Sequence, residues 1–224
     1  MSEAAFVGRG EAVVHSEEEA GSMGPALRDG RNRRAVETRR KVIAAAKAMI
    51  AETSTAPTVV AVAKRADVSV RSVFQHFGDV ESLFVTVVDA IRQEIVVPPV
   101  DTSDRPLATR VATMVRNLAE IFDKVVPLRV AAGQFAGHPA LVERGLVARQ
   151  ELRTATFEAF EPEFRVLDER AREELADAIG AALSLDAWVV LRRRDGLSAE
   201  RAMAVWRLTL TALLAHRFAA TAAE

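Results

Sequence analysis

Residues 66–79 read ADVSVRSVFQHFGD, and this stretch decides the fold of the N-terminal part of the 224-residue chain. Its valines and phenylalanines are residue types that strands favour. A half-buried strand, however, needs apolar side chains at every second position, and Ser72 breaks this alternation after Val68 and Val70. The spacing therefore argues against a strand.

A helix accommodates the same residues. Its period places an apolar stripe at positions i, i+3, i+4 and i+7, which here are Val70, Val73, Phe74 and Phe77. Ser69 can cap the first turn, and Gly78 can end the helix. The pattern predicts a helix at residues 70–77, which must pack on neighbouring helices because two turns are not stable alone.

The outward face of this predicted helix is polar and carries no acid: its residues are Arg71, Ser72, Gln75 and His76. A second short helix, with Thr58 as its N-cap, precedes it and is separated from it by residues 67–69 only. Two short helices joined by a three-residue turn form a helix-turn-helix, whose second helix enters the DNA major groove. The alternative is an ordinary helical hairpin whose polar side faces water.

The side chains of the 70–77 helix suit base recognition. Arg71 can bind guanine O6 and N7 in bidentate fashion, and Gln75 can bind adenine. Ser72 is a flexible polar contact, and Val70 can touch a thymine methyl group. Basic side chains of residues 31–41 can hold phosphates, and Arg33, Arg34 and Arg39 are the candidates.

The charge is distributed unevenly, although the net charge of the whole chain is only −1. Residues 28–77 contain eleven basic and four acidic residues, a balance of +7, whereas residues 1–27 contain one basic and five acidic residues, a balance of −4. A basic module on an acidic body indicates a polyanionic partner for that module. A basic helix that is simply solvated is the alternative.

The remaining sequence predicts an all-α protein of three parts. Residues 1–33 lack periodicity and are expected to form a disordered tail, with Met23 as an alternative start to Met1. Residues 34–96 form the helix-turn-helix domain, and the proline-rich connector at 97–106 begins a helical body at 97–224. Helices are predicted in this body near 105–125, 128–136, 139–160, 167–194 and 198–221, with Gly196 and Ser198 as stop and start signals.

Residues 58–84, TVVAVAKRADVSVRSVFQHFGDVESLF, resemble the DNA-binding core of the TetR family of bacterial repressors, and the likeness extends over roughly residues 36–95. The family pattern places a Thr at the start of the second helix, a small apolar pair, a Gly-Val-Ser turn, an aromatic residue, a His-Phe pair and a Lys-Glu-x-Leu start to the fourth helix. The corresponding residues are Thr58, Val62-Ala63, Asp67-Val68-Ser69, Phe74, His76-Phe77 and Val80-Glu81-Ser82-Leu83.

The resemblance implies that Val70, Arg71, Ser72 and Gln75 face the bases, and that Thr58, Phe74 and His76 lie against the DNA backbone. Three positions depart from the family pattern. Asp67 stands where a turn glycine is usual, but Asp tolerates left-handed backbone angles. Phe74 replaces a Tyr and lacks its hydroxyl, and Val80 replaces a Lys and lacks its charge, which weakens affinity without changing the function.

The resemblance also implies a homodimer on a palindromic operator, since two half-sites supply affinity and specificity. The expected interface consists of the last two helices, with Ala178, Ala181, Ala182, Leu185, Val205, Trp206, Thr209 and Leu213. The alternative is that these residues are simply core.

A small apolar or amphipathic effector is implied as well, which releases the operator by stabilising a state with mis-spaced recognition helices. The candidate pocket residues are Met114, Asn117, Phe122, Gln134, Phe135, Phe157 and Trp188. A core role is the alternative for each of them.

Several function classes are disfavoured. The carboxylate pairs Glu161/Glu163 and Glu173/Glu174 fit solvated faces, and no phosphate-binding glycine loop or metal-ligand spacing is present, so we expect neither an enzyme nor a cofactor. No apolar run reaches membrane-span length, no secretory signal is evident, and the absence of cysteine fits the cytoplasm. A helical adaptor or ligand-binding protein with degenerate DNA binding is the remaining alternative.

Overall fold

A computed structural model describes the backbone of residues 25–96 and 105–221, and the side chains of residues 32–96 and 105–215. Within these ranges the chain is helical without a strand, which confirms the all-α prediction. The chain divides into two compact units, residues 1–37 and 38–224. Of the first unit, residues 25–37 are described, and they are helical. In the same ranges, no helix combines the length and the apolar character needed to cross a membrane.

The described residues 25–96 contain four helices. They are α1 (Pro25–Thr53), α2 (Val59–Ala66), α3 (Val70–Phe77) and α4 (Val80–Glu94). The expected tail at residues 1–33 overlaps α1, because Pro25 opens this helix and residues 26–29 are mostly good helix formers. Residues 25–33 are therefore helical and correct that expectation, while residues 1–24 lie outside the described part.

Six helices and two short irregular segments lie within residues 105–221, the described part of the C-terminal region. They are α5 (Leu107–Ala131), a 3₁₀ turn (Ala132–Phe135), α6 (Pro139–Ala159), α7 (Glu161–Arg165), α8 (Glu169–Ala182), α9 (Leu185–Val189), a π-helical turn (Val190–Arg194) and α10 (Ala199–Thr221). The stop and start before α10 are as predicted: Gly196 has a φ of 65°, and the Arg201 amide donates to Ser198 Oγ at 3.2 Å.

Two predicted helices differ from the structure. The helix expected at 167–194 is interrupted, because Ser184 accepts a hydrogen bond from the Ala187 amide at 3.1 Å and starts a new helix. The break expected near Pro127 is absent, and α5 runs through it. Val126 and Leu128 on either side are buried, and we attribute the continuity to their packing, which offsets the hydrogen bond that proline cannot donate.

The larger apolar core lies among α5, α6, α8 and α10. Trp188 and Trp206 are almost fully buried at its centre, with ring centroids 4.4 Å apart. The Trp188 indole donates to Asp123 Oδ1 at 2.9 Å. At the edge of this core Arg110 and Glu163 form a buried ion pair, in which Arg110 Nη1 lies 2.6 Å from Glu163 Oε2 and also donates to the Ala159 carbonyl at 2.9 Å.

The second core is formed by the four helices α1, α2, α3 and α4 together with the C-terminal end of α5. Val42, Ile50, Val62, Val73 and Val87 are buried in it, and Leu128 and Ala131 of α5 belong to the same cluster. Phe84 of α4 packs on Phe135 with ring centroids 4.9 Å apart. The boundary expected between 96 and 97 is therefore crossed by continuous apolar packing.

Candidate nucleic-acid interface

The helix-turn-helix begins with a capped α2. Thr58 Oγ1 accepts a hydrogen bond from the Ala61 amide at 3.2 Å, which satisfies one free donor of the first turn. Val62, Ala63 and Ala66 are buried, so this helix faces the N-terminal core along its whole length. The predicted N-cap role of Thr58 is confirmed, and its side chain is exposed.

The turn between α2 and α3 is built around Asp67. This residue has φ 54° and ψ 51°, the left-handed conformation in which glycine is usual. The amide of Val68 returns to the Ala63 carbonyl at 3.0 Å, so the end of α2 is satisfied. Ser69 then starts α3 by accepting from the Ser72 amide at 3.1 Å. The turn therefore forms although Asp67 stands where the family pattern has glycine.

The inner face of α3 anchors this helix as predicted. Val73 is 1% exposed and Phe77 is 7% exposed, and both belong to the N-terminal core. The α-helix spans Val70–Phe77, which confirms that the opening stretch is a helix. Gly78 ends it with a φ of 80°, and Asp79 caps α4. Because the Ser82 backbone amide hydrogen-bonds to the Asp79 carboxylate, the pKa of that carboxyl lies below its usual value.

The outer face of α3 carries polar side chains at its centre and along one edge, and apolar side chains along the other edge. Arg71 and Gln75 are exposed at its centre, while Ser72 and His76 are half-buried along one edge. Val70 and Phe74 lie along the other edge and remain 37% and 48% exposed, respectively. No acidic residue lies on the helix. A face with this chemistry can bind base edges in a major groove.

Arg39 on α1 holds the end of α3. Its Nη1 donates to the His76 carbonyl at 3.1 Å, and its guanidinium lies 4.7 Å from the centre of the Phe77 ring. The sequence suggested a phosphate contact for Arg39, whereas these contacts are to the protein itself. A cation at the carbonyl end of a helix is favourable because of the helix dipole.

Part of the positive charge counted in the sequence is already neutralised. Arg65 makes a bidentate pair with Glu52, with both N···O distances 2.6 Å, and Lys47 pairs with Glu94. The Arg65 hydrogen bond lowers the pKa of Glu52. Arg33 and Arg34 are exposed residues of the first compact unit. Glu52 is already counted in the local balance of +7, whereas Glu94 lies outside residues 28–77 and lowers the charge that is available to a polyanion by one.

The interface is attached to the rest of the second unit through α4. Arg144 of α6 donates two hydrogen bonds to the Asp89 carboxylate of α4, and Nη2 of Arg144 lies 2.6 Å from Oδ2 of Asp89. Arg92 of α4 donates to Glu151 of α6 at 2.9 Å. The Arg144 hydrogen bond holds the pKa of Asp89 below its usual value. These partners are 55 and 59 residues apart in sequence, so no local pattern could have revealed them.

A further link joins the end of α1 to the segment after α9. Arg193 Nη2 donates to Ser54 Oγ at 2.6 Å, and Ser54 has a left-handed φ of 54°. Three consecutive arginines on the π-helical turn were the only sequence feature at this site. A run of arginines does not by itself indicate which of them has a partner, so this link was not predicted.

The expected effector residues fall into two places. Met114, Asn117 and Trp188 are buried in the C-terminal region, and Phe122 and Phe157 pack against its core. Phe135 instead packs on the N-terminal core, and Gln134 is exposed. Met114, Phe122, Phe157 and Trp188 therefore belong to or pack against one core, whereas Gln134 and Phe135 do not.

The expected dimer residues lie on α8, α9 and α10, of which α8 and α10 pack against each other. Ala181 and Val205 are exposed, and the half-buried residues are Ala178, Ala182, Leu185, Thr209 and Leu213. Trp206 is 1% exposed, so its side chain belongs to the core of the single chain. Leu208 is 74% exposed and was missed, although its two-residue offset from Trp206 on a helix places it on the opposite face.

Among the described side chains no group of three or more His, Asp or Glu residues could hold a metal ion. Residues 42–87 match the family model of bacterial regulatory proteins of the tetR family. This match covers α2, α3 and parts of α1 and α4, which are the elements of the interface. No curated protein matches the chain.

Proposed function

We infer that this chain, a TetR-family DNA-binding transcriptional regulator by the match of residues 42–87, represses transcription as a homodimer bound to a palindromic operator. The supporting observation is the outer face of α3. Arg71 and Gln75 project from a helix whose inner side is fixed by Val73 and Phe77, so the reading groups have a defined position. Such a regulator acts in the cytoplasm, where it meets the chromosome.

The roles of the side chains follow from their position on α3. Arg71 reads guanine, Gln75 reads adenine, and Ser72 is an adaptable polar contact. His76 lies at the margin of this face, Thr58 lies at the start of α2, and both contact the DNA backbone. Arg33 and Arg34 of the first unit add phosphate contacts that carry no sequence information.

The test is to recover genomic DNA fragments that the purified protein retains, and to measure their affinity at several salt concentrations. We expect a recurring palindrome and an affinity that falls as salt rises. Arg71→Ala should weaken binding to this palindrome by about 1–3 kcal/mol and relax selection at one base pair. Arg116→Ala, at an exposed position of α5, is the matched control and should bind like the wild type.

The proposal would be contradicted if the protein retained DNA without sequence preference, or if it retained no DNA at all. It would leave the helical adaptor with degenerate DNA binding as the alternative. The losses of a hydroxyl at Phe74 and of a charge at Val80 are the features that favour this alternative.

The proposed dimer uses the outward face of α10. Between Ala204 and Ala215 the exposed positions are apolar or small apart from Arg207, and they include Leu208 and Val205. A helix face of this composition normally packs on another surface. Ala181 of the adjacent α8 is exposed as well and allows close approach.

Leu208→Glu tests the dimer, because it buries a charge in the proposed interface. We expect monomers by analytical ultracentrifugation and weaker operator binding. Leu146→Glu on α6 changes a leucine that is 55% exposed, and it should remain dimeric. A Leu208→Glu protein that stays dimeric would place the interface elsewhere.

The proposed effector is small and apolar or amphipathic, and it enters among Met114, Asn117, Phe122, Phe157 and Trp188. Its binding shifts α6 relative to α4, and the Asp89–Arg144 pair transmits this shift towards α3. A ligand acts in this way only to the extent that it prefers one state over the other.

Tryptophan fluorescence offers the test, because the chain has two tryptophans and their rings lie 4.4 Å apart in this core. Compounds that change the emission should also reduce operator binding. Met114→Ala should alter both effects together. A compound that releases DNA without any change in emission, or with the same potency on Met114→Ala, would place the effector site elsewhere.

A further inference from the structure

The outer face of α3 has an apolar edge. Val70 and Phe74 are one helical turn apart, so their side chains are neighbours on the helix surface. They keep 37% and 48% of their surface exposed, while the other apolar residues of this helix, Val73 and Phe77, are buried. Ordinary surface positions carry single apolar residues, but here two adjacent ones border the groups that read DNA.

The order of side chains around the helix places this edge. At 100° per residue, Val70 and Phe74 come first, Arg71 follows, then Gln75, and finally Ser72 and His76. Helical side chains lean towards the N-terminus, so the Phe74 ring covers surface near Val70, at the end of α3 that enters the groove first. The apolar edge therefore lies directly beside the position of Arg71 on the helix surface.

The chemistry of Phe74 limits what it can contact. Its ring carries no hydrogen-bond donor, so it cannot bind a phosphate oxygen, and an apolar surface facing phosphates would remain unfavourably hydrated. The apolar group that the major groove displays is the C5-methyl of thymine. An adjacent phenylalanine and valine can bury such methyl groups against an apolar surface and exclude water from the contact.

We propose that Val70 and Phe74 form a thymine-methyl subsite, so that each operator half-site carries thymine beside the guanine that Arg71 reads. This inference rests on the proposed operator binding and specifies the base that accompanies the guanine. Neighbouring side chains on a helix are about 5–6 Å apart, and base pairs are about 3.4 Å apart. The thymine therefore lies one or two base pairs from the guanine.

The experiment replaces thymine by deoxyuridine in the recovered palindrome, one position at a time, and measures the affinity of the wild-type protein. This substitution removes only the methyl group and keeps the Watson–Crick pair. We expect a loss of about three- to tenfold at one or two positions of each half-site, as for the burial of one or two methyl groups. The other thymines should tolerate the change.

Phe74→Ala assigns the effect to the edge. In this variant the thymine and deoxyuridine operators should bind with nearly equal affinity, because the partner of the methyl group is gone. Val60→Ala, which shortens an apolar side chain that is 65% exposed on α2, is the matched control and should keep the full discrimination between the two operators. An effect of deoxyuridine that persists in Phe74→Ala and in Val70→Ala would overturn the assignment.

The two proposals fail in different ways. If no palindrome is retained, operator binding itself is wrong. If the palindrome binds tightly and every deoxyuridine substitution is silent, operator binding stands and the methyl subsite is wrong. A Phe74→Ala protein that loses affinity equally on both operators would show that the ring packs on deoxyribose instead.

Discussion

The guanidinium of Arg39 donates a hydrogen bond of 3.1 Å to the backbone carbonyl of His76, the penultimate residue of α3. The same guanidinium lies over the Phe77 ring. One side chain of α1 thus fixes the C-terminal end of α3, opposite to the end that is proposed to enter the DNA groove. The geometry favours a positioning role for Arg39 over a phosphate contact.

Arg39→Met should therefore destabilise the fold and leave the salt dependence of DNA binding unchanged. The lost hydrogen bond and cation–π contact are at an exposed site, and we expect a cost of about 1–2 kcal/mol. A phosphate contact would instead lower the slope of log affinity against log salt by about 1. Thermal unfolding and a salt titration measure the two quantities. Lys41→Met, at an exposed cation of the same helix, controls for the loss of one charge.

The left-handed conformation of Asp67 predicts a ranked series of variants. Asp67→Ala should cost about 1 kcal/mol, because a residue with Cβ and no side-chain acceptor is disfavoured at φ 54°. The unfolding free energy of Asp67→Gly should stay within about 0.5 kcal/mol of the wild-type value. Glycine removes the steric strain of a positive φ, but its greater backbone entropy in the unfolded chain offsets this gain. Urea denaturation measures both values. An Ala variant as stable as the Gly variant would show that the turn changes its conformation.

The Asp89–Arg144 pair should contribute a modest coupling energy between α4 and α6. A double-mutant cycle of Asp89→Asn and Arg144→Gln is expected to give about 0.5–1 kcal/mol, because both side chains are partly exposed. The same single variants should change the response of operator binding to any effector. Coupling energy near zero would remove this pair from the connection between the two helices.

The pH dependence of this pair has a definite sign. The pKa of Asp89 is lower in the folded protein than its ordinary value of about 3.9, so its stabilisation is fully present above that value. It is lost as the pH falls through the lowered folded value. The difference in unfolding free energy between the wild type and Asp89→Asn should therefore be constant near neutrality and shrink below about pH 4. A difference that grows on acidification would contradict the assignment.

The buried pair Arg110–Glu163 should be far more sensitive than exposed pairs. Glu163→Gln leaves a buried guanidinium without its counter-charge, and we expect a loss of about 3–5 kcal/mol in unfolding free energy. The double variant Arg110→Met, Glu163→Leu should recover much of it. Glu174→Gln on α8 disrupts the exposed Arg170–Glu174 contact and should leave the unfolding free energy nearly unchanged, because water screens this pair. Equal losses in both pairs would contradict this.

The features that depend on near neighbours in the chain were predictable. Thr58 and Ser69 cap the two helices that the sequence assigned to them, and Gly78 ends α3. Each of these interactions spans three or four residues, so residue type and spacing suffice. The period of Val70, Val73 and Phe77 likewise determined that α3 is a helix, although Phe74 of the same stripe is half exposed.

The features that depend on distant neighbours were decided only by the tertiary structure. Trp206 occupies the core instead of an exposed face, Arg39 contacts His76, and Arg144 contacts Asp89. Apolar side chains recur with the same period whether they pack within the chain or against another molecule. The presence of an arginine in the sequence likewise does not indicate whether its guanidinium binds a carbonyl, a carboxylate or a phosphate. The sequence determined the helices and the polar face of α3 because these arise from local geometry. The partners of the long side chains arise from packing across the fold, which no local pattern encodes.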